Sequence, residues 1–433
     1  MKTHSMLSWA ILLSAGAFLF ACGHSNKDDS SHQANDAGTH KSDAGTHKSD
    51  AGTHETDVEA GKKIFDTDIL HEIRFYPLNT GDWDTMVARY PDKEYTRMNV
   101  KIDGVMVDSV GVRIKGNNFY PANGKKQALK IDFNKFEKGL KYDGLKKINL
   151  NNRDFSANHL AFKLCRDNNV PAPRTSFAKV YFDDELIGDY LLLEQINSTF
   201  CNQHFGNKKG NRYKALNKGA VLEYIGDDSA SYVDVYVKKN NETENDYSDI
   251  MKLLEFFSNS SDEDFENHFD EYIDSQRFLK AMAIEMLVCK RDAFYIPGRN
   301  YYIYFNTDES RFEYIADDFD YSYNIHISKV FDLNFEHDEN TNYPVTNNAL
   351  IKRIIASSKL RTKYYDAVCE ILKNGFDTES YAVAATQLES FGGSNGFDFG
   401  PDIDTIKLFV SKRITSIISN LEESGYNCNL TSQ

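Results

Sequence analysis

Apolar and polar residues alternate through Met98, Val100 and Ile102, break at Asp103-Gly104, and alternate again through Val105, Val107, Val112 and Ile114. A period of two on both sides of an Asp-Gly pair predicts a β-hairpin, because that pair tolerates the positive φ angles of a tight turn. Leu129, Ile131 and Phe133 predict another strand. The period then lengthens: Leu160, Ala161, Leu164 and Cys165 share one helical face between Asp154, the expected N-cap, and Pro171 and Pro173. Two further strands are expected over residues 177–182 and 186–193, ending at Glu194.

Beyond this point the pattern is mainly helical. Asp274 is placed to cap a helix on which Phe278, Met282 and Met286 form one apolar row and Leu279, Ala283 and Leu287 the next. An aromatic strand over residues 301–305, a polar turn at 306–310 and a returning strand at 312–315 predict a second hairpin. Helices are expected at 348–358, 360–373, 378–391 and 405–424, with Gly392-Gly-Ser-Asn-Gly396 as a loop before the last. The Tyr- and Asn-rich segment 332–343 is expected to be a surface loop shaping a substrate entrance.

The amino terminus follows other rules. Lys2 precedes an apolar run from Met6 to Phe20 that ends in Leu19-Phe-Ala-Cys22-Gly, too short for a membrane helix and similar to a bacterial lipobox. Residues 1–22 are therefore expected to be a lipoprotein signal, with lipidation at Cys22 and several acyl chains giving stable anchoring. Residues 23–60 read as a disordered tether: Asp36-Ala-Gly-Thr-His-Lys-Ser42 recurs from Asp43 and, altered at its end, from Asp50. Each repeat offers only Ala as an apolar residue, so its seven-residue period cannot form a coiled-coil seam.

Composition narrows the function classes. With 433 residues, 41% of them hydrophobic, the chain can bury a large core, and its net charge of -15 argues against a nucleic-acid surface. Without Cys22 five cysteines remain, an odd number. Cys165 and Cys289 are expected as buried thiols in apolar stretches, leaving room for one disulfide among Cys201, Cys369 and Cys428.

The chemistry concentrates between Asp292 and Asp320. An acid in a loop, Asn300 just before an aromatic strand, a hairpin, and Asp318 and Asp320 just after the return strand is the order of residue types used in phosphoryl transfer. A triphosphate crowds negative oxygens together, so divalent metal must be held against it by hard oxygen ligands, for which Asn300, Asp318 and Asp320 are the candidates. Asp292 is the candidate to orient the incoming hydroxyl and accept its proton. The interval from Asp292 to Asn300 is eight residues and contains Pro297-Gly298, a longer loop than orthodox kinases use. A calcium loop at Asp318-x-Asp320 lacks the Gly and terminal Glu of an EF-hand.

These segments resemble the spore-coat protein H (CotH-like) kinases, an atypical branch of the protein kinases, over roughly residues 98–323. The resemblance lies in Val112-Arg-Ile-Lys-Gly-Asn117, Lys125 to Phe133, Asn151-Asn-Arg-Asp154, Val180 to Glu194, Asn211-Arg-Tyr-Lys214, Arg299 to Tyr304 and Ile315-Ala-Asp-Asp-Phe-Asp320. The family's Pro-Trp and Phe-Gly around the last motif are replaced by Ala316-Asp317 and Tyr321-Ser-Tyr-Asn324. The resemblance implies an α+β, two-lobed protein-kinase-like fold, with a small β-rich N-lobe at 61–196 and a larger, mainly helical C-lobe at 197–433. By that topology Lys130, or alternatively Lys115, meets the ATP phosphates. The helix after Asp154 lacks a Glu, so Glu194 either replaces the usual ion-pair partner of that lysine or lies near the adenine.

The function expected is a lipid-anchored, extracytoplasmic protein kinase of the bacterial cell envelope. It would transfer the γ-phosphoryl of ATP to Ser or Thr of an unidentified protein, with Mg²⁺ or Mn²⁺ and without nucleic acid. The alternative is a surface binding or adhesion module that keeps a kinase-like fold with weakened catalysis. A calcium-stabilised carbohydrate-binding surface is a third reading, disfavoured because most of the aromatic residues sit in strand patterns suited to a core.

Overall fold

The alternating part of the chain folds into seven strands: β1 (Leu70–Pro77), β2 (Thr96–Ile102), β3 (Val105–Ile114), β4 (Leu129–Asp132), β5 (Lys147–Asn151), β6 (Thr175–Phe182) and β7 (Glu185–Glu194). The computed structural model describes residues 60–429 apart from 117, 118, 120, 217, 218, 245, 324–332, 336–346, 400 and 401. The signal segment with Cys22, the repeats and most of the 332–343 loop lie outside them. Asp103 and Gly104 take φ of 48° and 84°, as the turn between β2 and β3 requires.

The seven strands close into a barrel in the order β1-β2-β3-β4-β5-β7-β6. This corrects the expected fold class: the β-rich part is a closed barrel, not the β-rich N-lobe of a two-lobed kinase fold. The cause is β1, whose parallel partner no local alternation announces. It runs antiparallel to β2, with Phe75 opposite Val100, and parallel to β6, with Ile73 opposite Val180, so no edge strand is left unpaired. The inward positions, including Ile73, Phe75, Val100, Ile131, Ile148, Val180 and Leu192, form one buried cluster.

Helix α1 (Asp82–Ala88) lies between β1 and β2, and α2 (Phe155–Asp167) between β5 and β6. Although α2 interrupts the barrel strands in sequence, its apolar face joins a different core: Leu160, Phe162, Leu164 and Cys165 cluster with Phe177, Leu191 and Leu193 from the other face of β6 and β7. Asp154 does occupy the N-cap position, but in a left-handed conformation with no capping bond from its side chain.

After α3 (Ser198–Phe205), strands β8 (Arg212–Ala215) and β9 (Tyr236–Lys238) begin a second sheet. Helices α4 (Ser248–Asn259), α5 (Asp262–Tyr272) and α6 (Ser275–Leu287) follow, then β10 (Tyr301–Asn306) and β11 (Arg311–Ala316), giving the strand order β11-β10-β8-β9. The chain ends in α7 (Ala349–Ala356), α8 (Ser358–Lys373), α9 (Thr378–Asn395) and α10 (Asp402–Glu423). The expected glycine loop is in fact the last turn of α9. A Cβ at Gly392 would sit 2.7 Å from the Phe397 carbonyl oxygen, so the small residue permits the close return of the chain.

Cys369 on α8 is bonded to Cys428 beyond α10, with a Cα separation of 5.1 Å. Cys165, Cys201 and Cys289 are buried and take no part in a disulfide, and Cys289 lies just past the end of α6 rather than within it. Among the described residues no helix is long and apolar enough to cross a membrane.

Candidate functional site

The hairpin β10–β11 brings the two halves of the site together. Tyr301 pairs with Ala316, and the Asp317 amide donates to the Asn300 carbonyl at 3.0 Å, so Asn300 and Asp318 flank the same end of one strand pair. Both are left-handed, with φ of 60° and 61°, a conformation Asn and Asp tolerate better than other side-chain-bearing residues. Asp318 also accepts the Asp320 amide at 3.0 Å, tightening the turn after β11.

Asp292 arrives from the other direction. The Asp274 carboxylate caps α6 through the Arg277 amide at 2.8 Å, and α6 leads into the loop that carries Asp292. Gly298 fixes the far end of that loop. Its φ is 69°, and a Cβ there would lie 2.6 Å from the Ala220 nitrogen. The close approach is secured by the Gly219 amide donating to Pro297 at 2.9 Å and the Ala220 amide donating to Gly298 at 3.2 Å. The Asp292 carboxylate is half-buried and accepts a hydrogen bond from Arg299.

Asp320 is tied to the opposite wall. Asn158 of α2 donates to it at 2.7 Å and accepts the Phe319 amide at 2.9 Å, while Arg153 approaches at 3.3 Å. Phe319 is buried edge-on against Phe162, with ring centroids 5.1 Å apart. Burial, then the charges of Asp318 and Asp154, push the Asp320 carboxyl up to about 8 against the opposing pull of Asn158 and Arg153.

The expected lysines are both at the site's cationic wall. Lys115, just past β3, donates to Asn151 at the end of β5. Burial pushes its ammonium down, and Asp318 and Asp317 only partly offset this. Lys130 on β4 stands between Arg113 of β3 and Asn149 of β5 and donates to Gln195. Burial and then the charges of Arg113, Lys115, Lys214 and Lys147 push it well below the ordinary lysine value. Glu194 is placed elsewhere. It is buried and holds Arg174 at 2.6 Å and 3.0 Å, and Arg174 also donates to the Ala60 carbonyl at 2.7 Å, so Glu194 pairs with neither lysine.

Several residues that shape the site carry no role in the sequence reading. Lys214 on β8 forms an ion pair with Asp317 at 2.9 Å and lies 4.9 Å from the Tyr302 ring centre. Burial works against the charge on Asp317, but Lys214, Lys115 and Lys290 outweigh it and hold the carboxyl below the usual carboxylate range. The segment Asn211-Arg-Tyr-Lys214 was visible as a motif. What was invisible is that β8 pairs with β10, which sets Lys214 opposite Tyr302. Asn158 and Lys290 likewise have long-range partners that no local pattern announces.

Among the described residues no three His, Cys, Asp or Glu side chains form a ready-made metal group. The donor chemistry nonetheless fits a hard divalent cation: Asp318 and Asp320 repel one another, and the Asn300 amide lies at the adjoining strand end. Added positive charge there would relieve the repulsion that raises Asp320.

No curated protein matches the chain. The family model described as CotH kinase protein matches residues 112–391, from within β3 to within α9, and so takes in every candidate lysine, acid and amide of the site. A match over most of the chain places this protein in the CotH kinase family.

Proposed function

We propose that the protein transfers the γ-phosphoryl group of ATP to a Ser or Thr hydroxyl of a protein acceptor, outside the cytoplasm and anchored by lipid at Cys22. The observation that carries the transfer reaction is the half-buried cationic wall: Lys130 faces Arg113 across the β3–β4 pair and bears the charges of Lys115, Lys214 and Lys147, so a bound polyanion would offset their mutual repulsion. The acids of the β10–β11 hairpin adjoin that wall: Lys214 pairs with Asp317, and Asp318 and Asp317 act on the charge of Lys115.

In this reading Lys115 and Lys130 bind the phosphates, and Asn300, Asp318 and Asp320 hold Mg²⁺ or Mn²⁺. A divalent cation would neutralise charge on the bridging and terminal phosphate oxygens. Asp292, oriented by Arg299, accepts the proton of the acceptor hydroxyl as its oxygen forms a bond to the γ-phosphorus. The bond from that phosphorus to the ADP oxygen breaks, and ADP leaves with the electron pair. The Cys369–Cys428 disulfide supports an oxidising compartment.

The test is thermal unfolding of the purified protein with ATP and with Mg²⁺ or Mn²⁺, separately and together, across pH. The combination should raise the melting temperature more than either alone. The gain should grow as pH rises and level off above about 8, because metal requires the charged form of Asp320. Without ligand the sign reverses. An unfolded Asp titrates near 3.9, so the folded state holds a proton between there and about 8, and stability falls as pH rises through that window. No stabilisation by ATP and metal at any pH would favour a binding module instead.

Anchoring has its own expected result. Cys22→Ser should move the protein from the detergent phase to the aqueous phase in a two-phase extraction of bacterial envelopes. An aqueous wild-type protein would contradict lipidation.

A further inference from the structure

Lys290 is the most completely enclosed charge beside the site. Neither it nor its partner Glu285 has solvent exposure, and the two form an ion pair at 3.0 Å. The same ammonium donates to the carbonyl of Asn300 at 3.0 Å and to that of Asp317 at 3.1 Å. It lies 4.6 Å from the ring centre of Phe319, and Tyr314 on β11 donates to Glu285 at 3.0 Å. One cation therefore binds the backbone on both sides of the hairpin end, beside the two left-handed residues Asn300 and Asp318.

The geometry points to Lys290 as a positioning residue: by clamping the Asn300 and Asp317 carbonyls it holds the side chains of Asn300 and Asp318 where they can share one divalent cation. A left-handed residue persists only when its surroundings over-determine it. Here the surroundings are the Asp317 amide bond to Asn300, the Asn158 contact to Phe319, and this ammonium. Of the three, only the ammonium donates to the carbonyls of both strands. A buried charge costs free energy unless it is paired and hydrogen-bonded, and all three donors of Lys290 are used. The inference rests on the kinase reading above, and its test separates the two.

Lys290→Met leaves Glu285 buried without its cation and can lose the fold for that reason alone. The decisive variant is therefore Lys290→Met combined with Glu285→Gln, which removes the ion pair as a unit and leaves an acceptor for Tyr314. ATP binding is measured by calorimetry with Mn²⁺ and in its absence, together with amide hydrogen exchange over residues 316–320. Expected is a loss of about 10- to 100-fold in Mn²⁺-dependent ATP affinity, the range for groups that orient metal ligands. Metal-free ATP affinity should be unchanged, with faster exchange at 316–320. A folded double variant with wild-type Mn²⁺ dependence would overturn the positioning role. So would a double variant that cannot fold, since a positioning residue must be separable from the fold. Wild-type protein that shows no Mn²⁺-dependent ATP binding would instead overturn the kinase reading, and this inference with it.

Discussion

Asp318→Asn should abolish the stabilisation by ATP with metal while leaving the folded protein intact. For a wild-type protein at a ligand concentration about a hundred times Kd, that stabilisation is about 2.7 kcal/mol. Asn keeps the size of the side chain and its tolerance for the left-handed backbone at φ 61°, so the change removes one charge and little else. It also removes the neighbour that helps raise Asp320, so the unliganded protein should be no less stable above neutral pH. Asp292→Asn should behave differently, because the role proposed for Asp292 is confined to the acceptor hydroxyl. Nucleotide affinity should persist while phosphoryl transfer drops by about 10²–10⁴-fold. Equal losses of nucleotide binding in both variants would refute the division of labour.

Loss of the disulfide should have the largest effect on stability. Cys369 and Cys428 are 59 residues apart, and the chain-entropy model gives about 4 kcal/mol for closing such a loop. At about 2.1 cal/mol/K per residue, that corresponds to a fall in melting temperature of about 5 °C for a folded part of this size. Cys428→Ser and wild-type protein in dithiothreitol should melt alike. Cys165, Cys201 and Cys289 are buried, so alkylation of the native oxidised protein should label none of these three quickly. A variant as stable as the oxidised wild type would show that the bond contributes nothing.

The parts legible in the sequence are those whose partners lie close along the chain. The Asp103-Gly104 hairpin, the Asp274 cap, the apolar rows of α6 and the β10–β11 hairpin all follow from local period and turn chemistry. Where the partner is remote, the pattern was insufficient. His71, Ile73 and Phe75 are the buried, alternating positions of β1, yet alternation says nothing of a parallel partner at Ile73–Val180. For Lys290 and Asn158 the local spacing is uninformative, since the carbonyls and carboxylate they hold come from other elements. Glu194 shows the converse: a buried acid at a strand end invites a nucleotide-binding reading, and its ion-pair partner is Arg174 rather than Lys115 or Lys130.

The closing pair of the barrel also sets an order in time. β1 cannot find its parallel partner until the chain through Phe182 has been made and delivered, roughly a hundred residues after β1 itself. A protein exported from its amino terminus would carry β1 across first and hold it with one edge open while the later strands follow. The wall bearing Lys115 and Lys130 is built from β3, β4 and β5, which lie inside that interval. The strands that carry Lys115 and Lys130 would thus be made early and the barrel to which they belong completed late. Chains stopped before β6 should remain open to proteases that the finished protein resists.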